Sequence, residues 1–200
     1  MKFAKFAIVF YIVFVMSFVM EHNTFALPEP AAGVDEDESE DRPATLPDYQ
    51  VKSRFLTIFG ENCKWPPQSS VTTPGAPFII GAFEENDTIS YLIDTVKTKT
   101  IVGKKARILI ISEDGESEQC NLLYITDSSG KRLQEILEIT NKLPLLTVSD
   151  VRGDAEKGVM IEMFIVKNKM HFIVNLSAAR KHGLFFSSTF LKYADRIIED

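Results

Sequence analysis

Apolar positions recur along this chain at two periods, and the changes of period mark its elements. Asp48, directly after Pro47, is expected to cap a helix in which Val51, Phe55, Ile58 and Phe59 recur at helical spacing. Trp65-Pro66-Pro67 ends it, because proline lacks the backbone N–H and clashes with the preceding turn. Residues 68–76, rich in Ser, Thr, Pro and Gly, read as a loop, and Phe78-Ile79-Ile80-Gly81-Ala82-Phe83 as a buried strand. Asp87 or Thr88 can then cap a helix whose Ile89, Leu92, Ile93 and Val96 fall on one stripe.

Two apolar runs of strand length follow, 106–111 and 120–126, separated by a polar loop with a turn at Asp114-Gly115. Ser128 or Ser129 can cap a helix over 131–140, buried through Leu133, Ile136, Leu137 and Ile139, before a strand at 145–148. Strand and helix alternate with short connections, which is the pattern of a parallel sheet covered on both faces. The end differs, since runs 159–166 and 170–176 are joined only by Lys167-Asn168-Lys169 and must pair as a hairpin. Helical periodicity returns through Ala178 and Ala179, breaks at Gly183, and resumes through Phe190, Leu191 and Ala194 to the C-terminus. The expected fold is α/β: a mixed, mainly parallel sheet flanked by helices, with a C-terminal antiparallel hairpin and two closing helical pieces.

Ahead of this domain the pattern belongs to export. Lys2 and Lys5 precede a 15-residue apolar run, 6–20, and Thr24-Phe25-Ala26 puts small residues where a signal peptidase reads. The run is shorter than the roughly 20 residues that span a bilayer core. A signal peptide over 1–26, cleaved after Ala26, is therefore expected, with no membrane span in the mature chain. Residues 27–48 carry four prolines and eight acidic side chains against Arg42 alone, and read as a disordered acidic leader. Residues 49–200 hold 19 acidic and 19 basic side chains and form one domain, large enough for a single core. The net charge of −6 thus belongs to the leader, and the balanced domain offers no nucleic-acid surface.

Catalytic groups do not converge in this sequence. His171 falls in a strand, His182 beside the Gly183 break, and His22 in the expected signal peptide, so no His cluster with metal-ligand spacing forms. The glycines are scattered and no phosphate loop links a strand to a helix. Ser187-Ser188-Thr189 and Ser128-Ser129 stand where helices begin and serve as caps. Neither enzyme activity nor a cofactor is expected. Asn86-Asp87-Thr88 and Asn175-Leu176-Ser177 fit the glycosylation pattern, which bears only on an exposed site in a eukaryotic host. Cys63 and Cys120, the only cysteines, are open to two readings: a disulfide permitted by an oxidising compartment, or two buried thiols.

Several segments in order resemble the YfiR-like periplasmic proteins, long classed as a domain of unknown function. They are Lys64-Trp65-Pro66, Phe78-Ile79-Ile80-Gly81, Cys120, and Leu145-Leu146-Thr147-Val148-Ser149-Asp150. The strongest is a terminal signature of Phe172, Asn175-Leu176, Ala178-Ala179-Arg180, Gly183-Leu184, Ser187-Ser188, Leu191 and Ala194. The chain departs from the family where relatives carry a glycine pair and a phenylalanine and it has Gly153-Asp154 and Lys157-Gly158. Some relatives also place a further cysteine in the strand matching 78–80.

The resemblance implies a periplasmic regulator that binds the periplasmic sensor portion of an inner-membrane signalling protein, a diguanylate cyclase or a sensor kinase, and holds it inactive. It also implies a homodimer. Trp65, Phe185, Phe186 and Tyr193 are the candidate partner-binding anchors, weighed against core packing. A second reading, a periplasmic small-ligand sensor or carrier, follows from the crevices that form at strand C-termini in α/β sheets.

Overall fold

Strand-length apolar runs with no polar alternation must be buried on both faces, and here they form the middle of one sheet. The computed structural model describes residues 46–126 and 132–199. The expected signal peptide, most of the leader, and Ser128 and Ser129 lie outside the described residues. The chain runs α1 (Asp48–Asn62), β1 (Cys63–Lys64), β2 (Phe78–Ala82), α2 (Asp87–Val96), β3 (Thr100–Ile101), β4 (Lys104–Ile110) and β5 (Leu122–Ile125). It continues through α3 (Leu133–Ile139), β6 (Leu146–Ser149), β7 (Ile161–Val166), β8 (Lys169–Asn175), α4 (Leu176–Lys181), β9 (Phe185–Phe186), α5 (Ser188–Leu191) and β10 (Arg196–Ile198).

The sheet order is β10-β8-β7-β6-β5-β2-β4-β3. Strands β4, β2, β5, β6 and β7 are parallel neighbours. The β7–β8 and β3–β4 pairs are antiparallel, and β10 lies parallel to β8. The fold is therefore the mixed, mainly parallel α/β sheet with a C-terminal hairpin. Lys167 and Asn168 both take positive φ, 49° and 61°, which matches the twist of the hairpin they join.

Each face of the sheet has its own core. Phe78, Ile80, Leu122, Tyr124, Leu146 and Val148 pack on one side with Leu56 and Phe59 of α1, Ile89 and Leu92 of α2, Ala179 of α4 and Phe190 of α5. Leu123, Ile125, Ile111 and Cys120 pack on the other with Leu133 and Ile136 of α3. The two closing helical pieces thus do cover a single face. Gly183, at φ +72°, ends α4 by donating its N–H to Arg180 O (3.0 Å), while Leu184 N–H reaches Ala179 O (2.9 Å).

Four local expectations are corrected. Asn86, not Asp87 or Thr88, caps α2, its Oδ1 accepting Ile89 N–H at 3.0 Å. Pro47 stands at the start of α1, so Asp48 lies in the first turn rather than at the cap. The β3–β4 hairpin was not expected, because its turn uses Val102 at φ 51°, a β-branched residue in a region L-residues rarely enter. A hydrogen bond from Val102 N–H to Glu61 Oε1 (2.8 Å) holds it there. The C-terminus is a strand and not a helix, because Asp195 ties it to β8: Asp195 N–H donates to Phe172 O and Asp195 Oδ2 accepts Phe172 N–H, both at 2.9 Å.

Both cysteines are free, buried thiols. Cys63 belongs to one core and Cys120 to the other, so the sheet stands between them and a bond joining them has no path. Burial pushes the Cys63 thiol far above its ordinary range and lifts Cys120 to about 12, helped there by the Glu116 charge. A folded-state pKa above the unfolded one stabilises the fold fully below the unfolded value. Stability is then lost as pH rises through the folded value, because the unfolded thiol ionises first. The urea midpoint is expected to fall between about pH 8 and about pH 11, and Cys120→Ala to make that fall shallower.

Gly81 explains the close approach of Cys120. A Cβ added at Gly81 would stand 2.5 Å from Cys120 Sγ and 3.0 Å from Ile111 Cδ1. Gly81→Ala is expected to cost about 1–3 kcal/mol in urea unfolding, as overpacking does. The cost should shrink in a Cys120→Ala background, which a double-mutant cycle reads directly.

Candidate functional site

The chain leaves β2 towards β4 on one side, and the next parallel strand, β5, pairs on the other side of β2. Such a reversal of strand order opens a crevice beyond the C-terminal ends of the two diverging strands. A crevice of about 610 Å³ lies at these ends, lined by Asp48, Tyr49, Lys52, Glu84, Asn86, Asp87, Thr88, Tyr124, Thr126, Asp150 and Val151. Glu84 follows β2, Thr126 follows β5 and Asp150 follows β6, while the first turns of α1 and α2 supply the remaining wall.

Asp150 is the centre of its hydrogen bonding. Its Oδ2 accepts from Lys52 Nζ and from Tyr124 OH, each at 2.7 Å. Across 98 residues of sequence this joins α1 to the end of β6. Burial first, and then the Asp150 charge, hold the Tyr124 phenol protonated well above its ordinary range. Thr126 Oγ1 donates to Glu84 Oε1 (3.2 Å), and Ser53 Oγ donates to Thr88 O (2.7 Å), fixing α1 against α2.

The loop after Asp150 is pinned by two buried carboxylates. Asp154 Oδ2 accepts from Ser149 Oγ (2.7 Å) and its Oδ1 from Lys157 Nζ (2.9 Å). Glu162 Oε2 accepts the N–H groups of Gly153 (2.9 Å) and Ala155 (3.1 Å). Buried charge is tolerated here because each carboxylate has several donors. Among the described residues no three His, Cys, Asp or Glu side chains are grouped to hold a metal ion.

The four anchor candidates separate. Lys64 pairs with Phe185 and Cys63 with Phe186 across β1 and β9, so Phe186 shares the inward side of Cys63. Phe185 is 54% exposed and Tyr193 44% exposed. Phe186 stacks on the buried Phe190, with ring centroids 5.3 Å apart. Trp65 meets the edge of Phe78 at 5.6 Å and packs against the core, its indole N–H buried without a partner. Of the four, only Phe185 and Tyr193 are exposed, while Trp65 and Phe186 are half-buried.

The family model described as YfiR/HmsC-like matches residues 49–195, essentially the whole described domain. The chain belongs to the YfiR/HmsC-like family. No curated protein matches it. Among solved structures it is similar to a conserved domain protein from Vibrio cholerae, at 10% identity and TM-score 0.50, covering 72% of this chain and 59% of that one. It is also similar to an ABC domain in complex with L-Trp from Streptococcus pneumoniae, at 10% identity and TM-score 0.51, covering 73% and 60%. The chain thus spans about three fifths of the length of each of these structures, and the likeness shows the shared α/β fold.

The family signature is largely a set of fold determinants. Asn175 caps α4, Oδ1 accepting Ala178 N–H (2.8 Å), and its Nδ2 donates to Ala155 O (2.8 Å), tying α4 to the loop behind Asp150. Leu176, Ala178, Ala179 and Leu184 are core residues, and Arg180 pairs with Glu199 at 3.0 Å. Ser187 Oγ accepts Phe190 N–H (3.2 Å) as the cap of α5, and Ser188 opens that helix. His171 Nδ1 meets Asp195 Oδ1 and His182 Nδ1 meets Leu143 O, both at 2.8 Å. Sequence reasoning named Asp150 only as part of a motif and passed over Lys52, Glu84, Tyr124 and Thr126. The available signal was a polar residue soon after each of three buried strands. Asn175→Ala removes a cap and a buried loop bond together, and a loss of about 2 kcal/mol in denaturant unfolding is expected.

Proposed function

We propose that this protein is an exported periplasmic regulator of cyclic-di-GMP signalling. In this reading it binds the periplasmic sensor portion of an inner-membrane signalling protein of the diguanylate cyclase type and holds it inactive. The observation that carries the reading is the family match over residues 49–195, a family that is regulatory and not catalytic. Among the described residues no helix is long and apolar enough to cross a membrane, which suits a chain released after cleavage at Ala26. Phe185 and Tyr193 are the anchors proposed for the partner, since exposed aromatic side chains supply large contact area at small entropic cost. Trp65 and Phe186 are proposed to support that surface from beneath, and the working unit to be a homodimer.

A second reading is favoured by the crevice, which has the size of a small-molecule site and stands where α/β sheets place their ligands. In that reading the protein senses a small molecule, alone or in addition to its partner.

Affinity capture from solubilised inner membrane tests the first reading. The wild-type chain is expected to retain a membrane signalling protein, and Phe185→Asp with Tyr193→Asp to reduce its recovery by about tenfold or more while the melting temperature stays unchanged. Recovery that is equal for wild type and variant would remove these two residues from the interface, and recovery of no signalling protein would sink the reading.

A further inference from the structure

We infer that the open outer edge of β4 joins a second copy of this chain, strand to strand and antiparallel, about a two-fold axis at Leu109. This rests on the homodimer reading above and names the surface that the dimer uses. The backbone groups of successive residues in a strand face alternate sides, and two bonds fix the sides of β4. Ile111 N–H donates inward to Ala82 O at 2.8 Å, and Ala106 N–H donates outward to Lys99 O at 3.3 Å. Residues 107 and 109 therefore bond β2, while Ile108 and Ile110 turn their N–H and C=O groups away from it. Strand β3 pairs on that outer side with Lys104 and Lys105 only. Among the described residues no strand pairs with Ile108 or Ile110 there.

An edge with free hydrogen-bonding groups is a template for another strand, and proteins keep such edges unpaired by charge, proline, a bulge or shortness. Both ends of this sheet carry some of that protection. Strand β10, at the far edge, is three residues long and bracketed by the charged Arg196 and Glu199, and the first half of β4 has Lys104, Lys105 and β3 itself. The second half has none of it. Ile108-Leu109-Ile110 is apolar and includes two β-branched residues, the side chains that favour strands, and Ile110 is 36% exposed.

The flanks of the gap select the occupant and its register. Ala106 N–H is spent on Lys99 O, and Ser112 N–H on Glu116 Oε2 at 2.7 Å, so only residues 108 and 110 remain to bond outward. A second β4 matches that gap. Ile108 of one copy then faces Ile110 of the other, and the reverse, each pair exchanging two N–H···O=C bonds with Leu109 opposite its own symmetry mate. A centre at Ile108 would set Ile110 against Ala106, and a centre at Ile110 would set Ile108 against Ser112, whose N–H groups are both taken. The register is thereby confined to Leu109. Charge agrees with the antiparallel sense: the exposed Lys99 and Lys105 stand at the start of the open edge and the exposed Glu113 at its end. Two-fold pairing brings the basic end of one copy to Glu113 of the other, whereas parallel pairing would set like charge against like.

Sedimentation velocity of the purified full chain over a concentration series tests this surface. A dimer is expected to form, and the amides of Ile108 and Ile110 to exchange with deuterium more slowly as its fraction rises, since pairing gives them acceptors. Ile110→Lys adds a charge to the middle of the contact at an exposed position, and should weaken association by about tenfold or more while the melting temperature stays unchanged. Leu109→Cys reads the register itself. Directly opposite residues of a non-hydrogen-bonded antiparallel pair have Cα atoms about 4.5 Å apart, within reach of a disulfide. Made in a Cys120→Ala background, which clears that face of the sheet of its native thiol, Leu109→Cys is expected to give a cross-linked dimer on mild oxidation. If that double variant fails to fold, Ile110→Lys and the amide exchange of the unaltered chain decide. A chain that dimerises without slowing the Ile108 and Ile110 amides, without a cross-link at 109, or with unchanged association in Ile110→Lys overturns this surface and leaves the homodimer reading standing. A chain that stays monomeric throughout removes both.

Discussion

Strand β2 is hydrogen-bonded along both edges and packed on both faces, and the rest of the structure is arranged around that requirement. Its backbone groups are satisfied only because β4 and β5 both lie parallel to it, one on each side. Its Phe78, Ile80 and Ala82 enter one core, and Ile79 packs against the other. Parallel neighbours cannot be joined by a tight turn, so the chain must cross over between β2 and β4, and α2 is that crossing. Gly81 allows the second face to close, since Cys120 Sγ occupies the space a side chain would need.

The crevice is a consequence of the same arrangement. A first strand with later strands added on both sides leaves its outgoing loops pointing apart, and the space between them belongs to no core. What fills its walls is polar because these residues are strand ends and helix starts, where backbone groups need partners and side chains meet water. The interior of the wall is nevertheless ordered. Asp150 is held by Lys52 and Tyr124, and the loop behind it by Asp154, Glu162 and Asn175. Helix α1 runs from this crevice at Asp48 to Asn62, and β1 directly after it pairs with the strand that presents Phe185. Helix α1 and the strand that follows it therefore connect the crevice to the most exposed of the aromatic anchor candidates.

Much of the architecture was legible because burial writes a period into the sequence. Ile89, Leu92 and Val96 declare α2, the unbroken apolar runs at 78–82 and 122–125 declare inner strands, and Lys167-Asn168 declares the hairpin. The small features were not legible for equally physical reasons. The two-residue strand β3 is too short to show a period, and its turn depends on Glu61 holding Val102 at positive φ from 41 residues away. The tail from Arg196 carries apolar residues that fit a helix, and its pairing with β8, anchored by the bonds of Asp195 to Phe172, makes it a strand. The cysteines could not be assigned from their count, because the deciding fact is which face of the sheet each one occupies.

By itself the sequence determined the α/β class, the order of the main elements, the helical cap within Ser187-Ser188-Thr189, and the resemblance that the family match bears out. These depend on local periodicity, turn chemistry and short-range hydrogen bonds, all of which are set within a few residues. The tertiary structure alone decided the strand order, the separation of the two thiols, the outward aspect of Phe185 and Tyr193, and the meeting of Lys52, Tyr124 and Asp150. Each of those is a pairing between distant parts of the chain, and its geometry exists only once the sheet has brought them together.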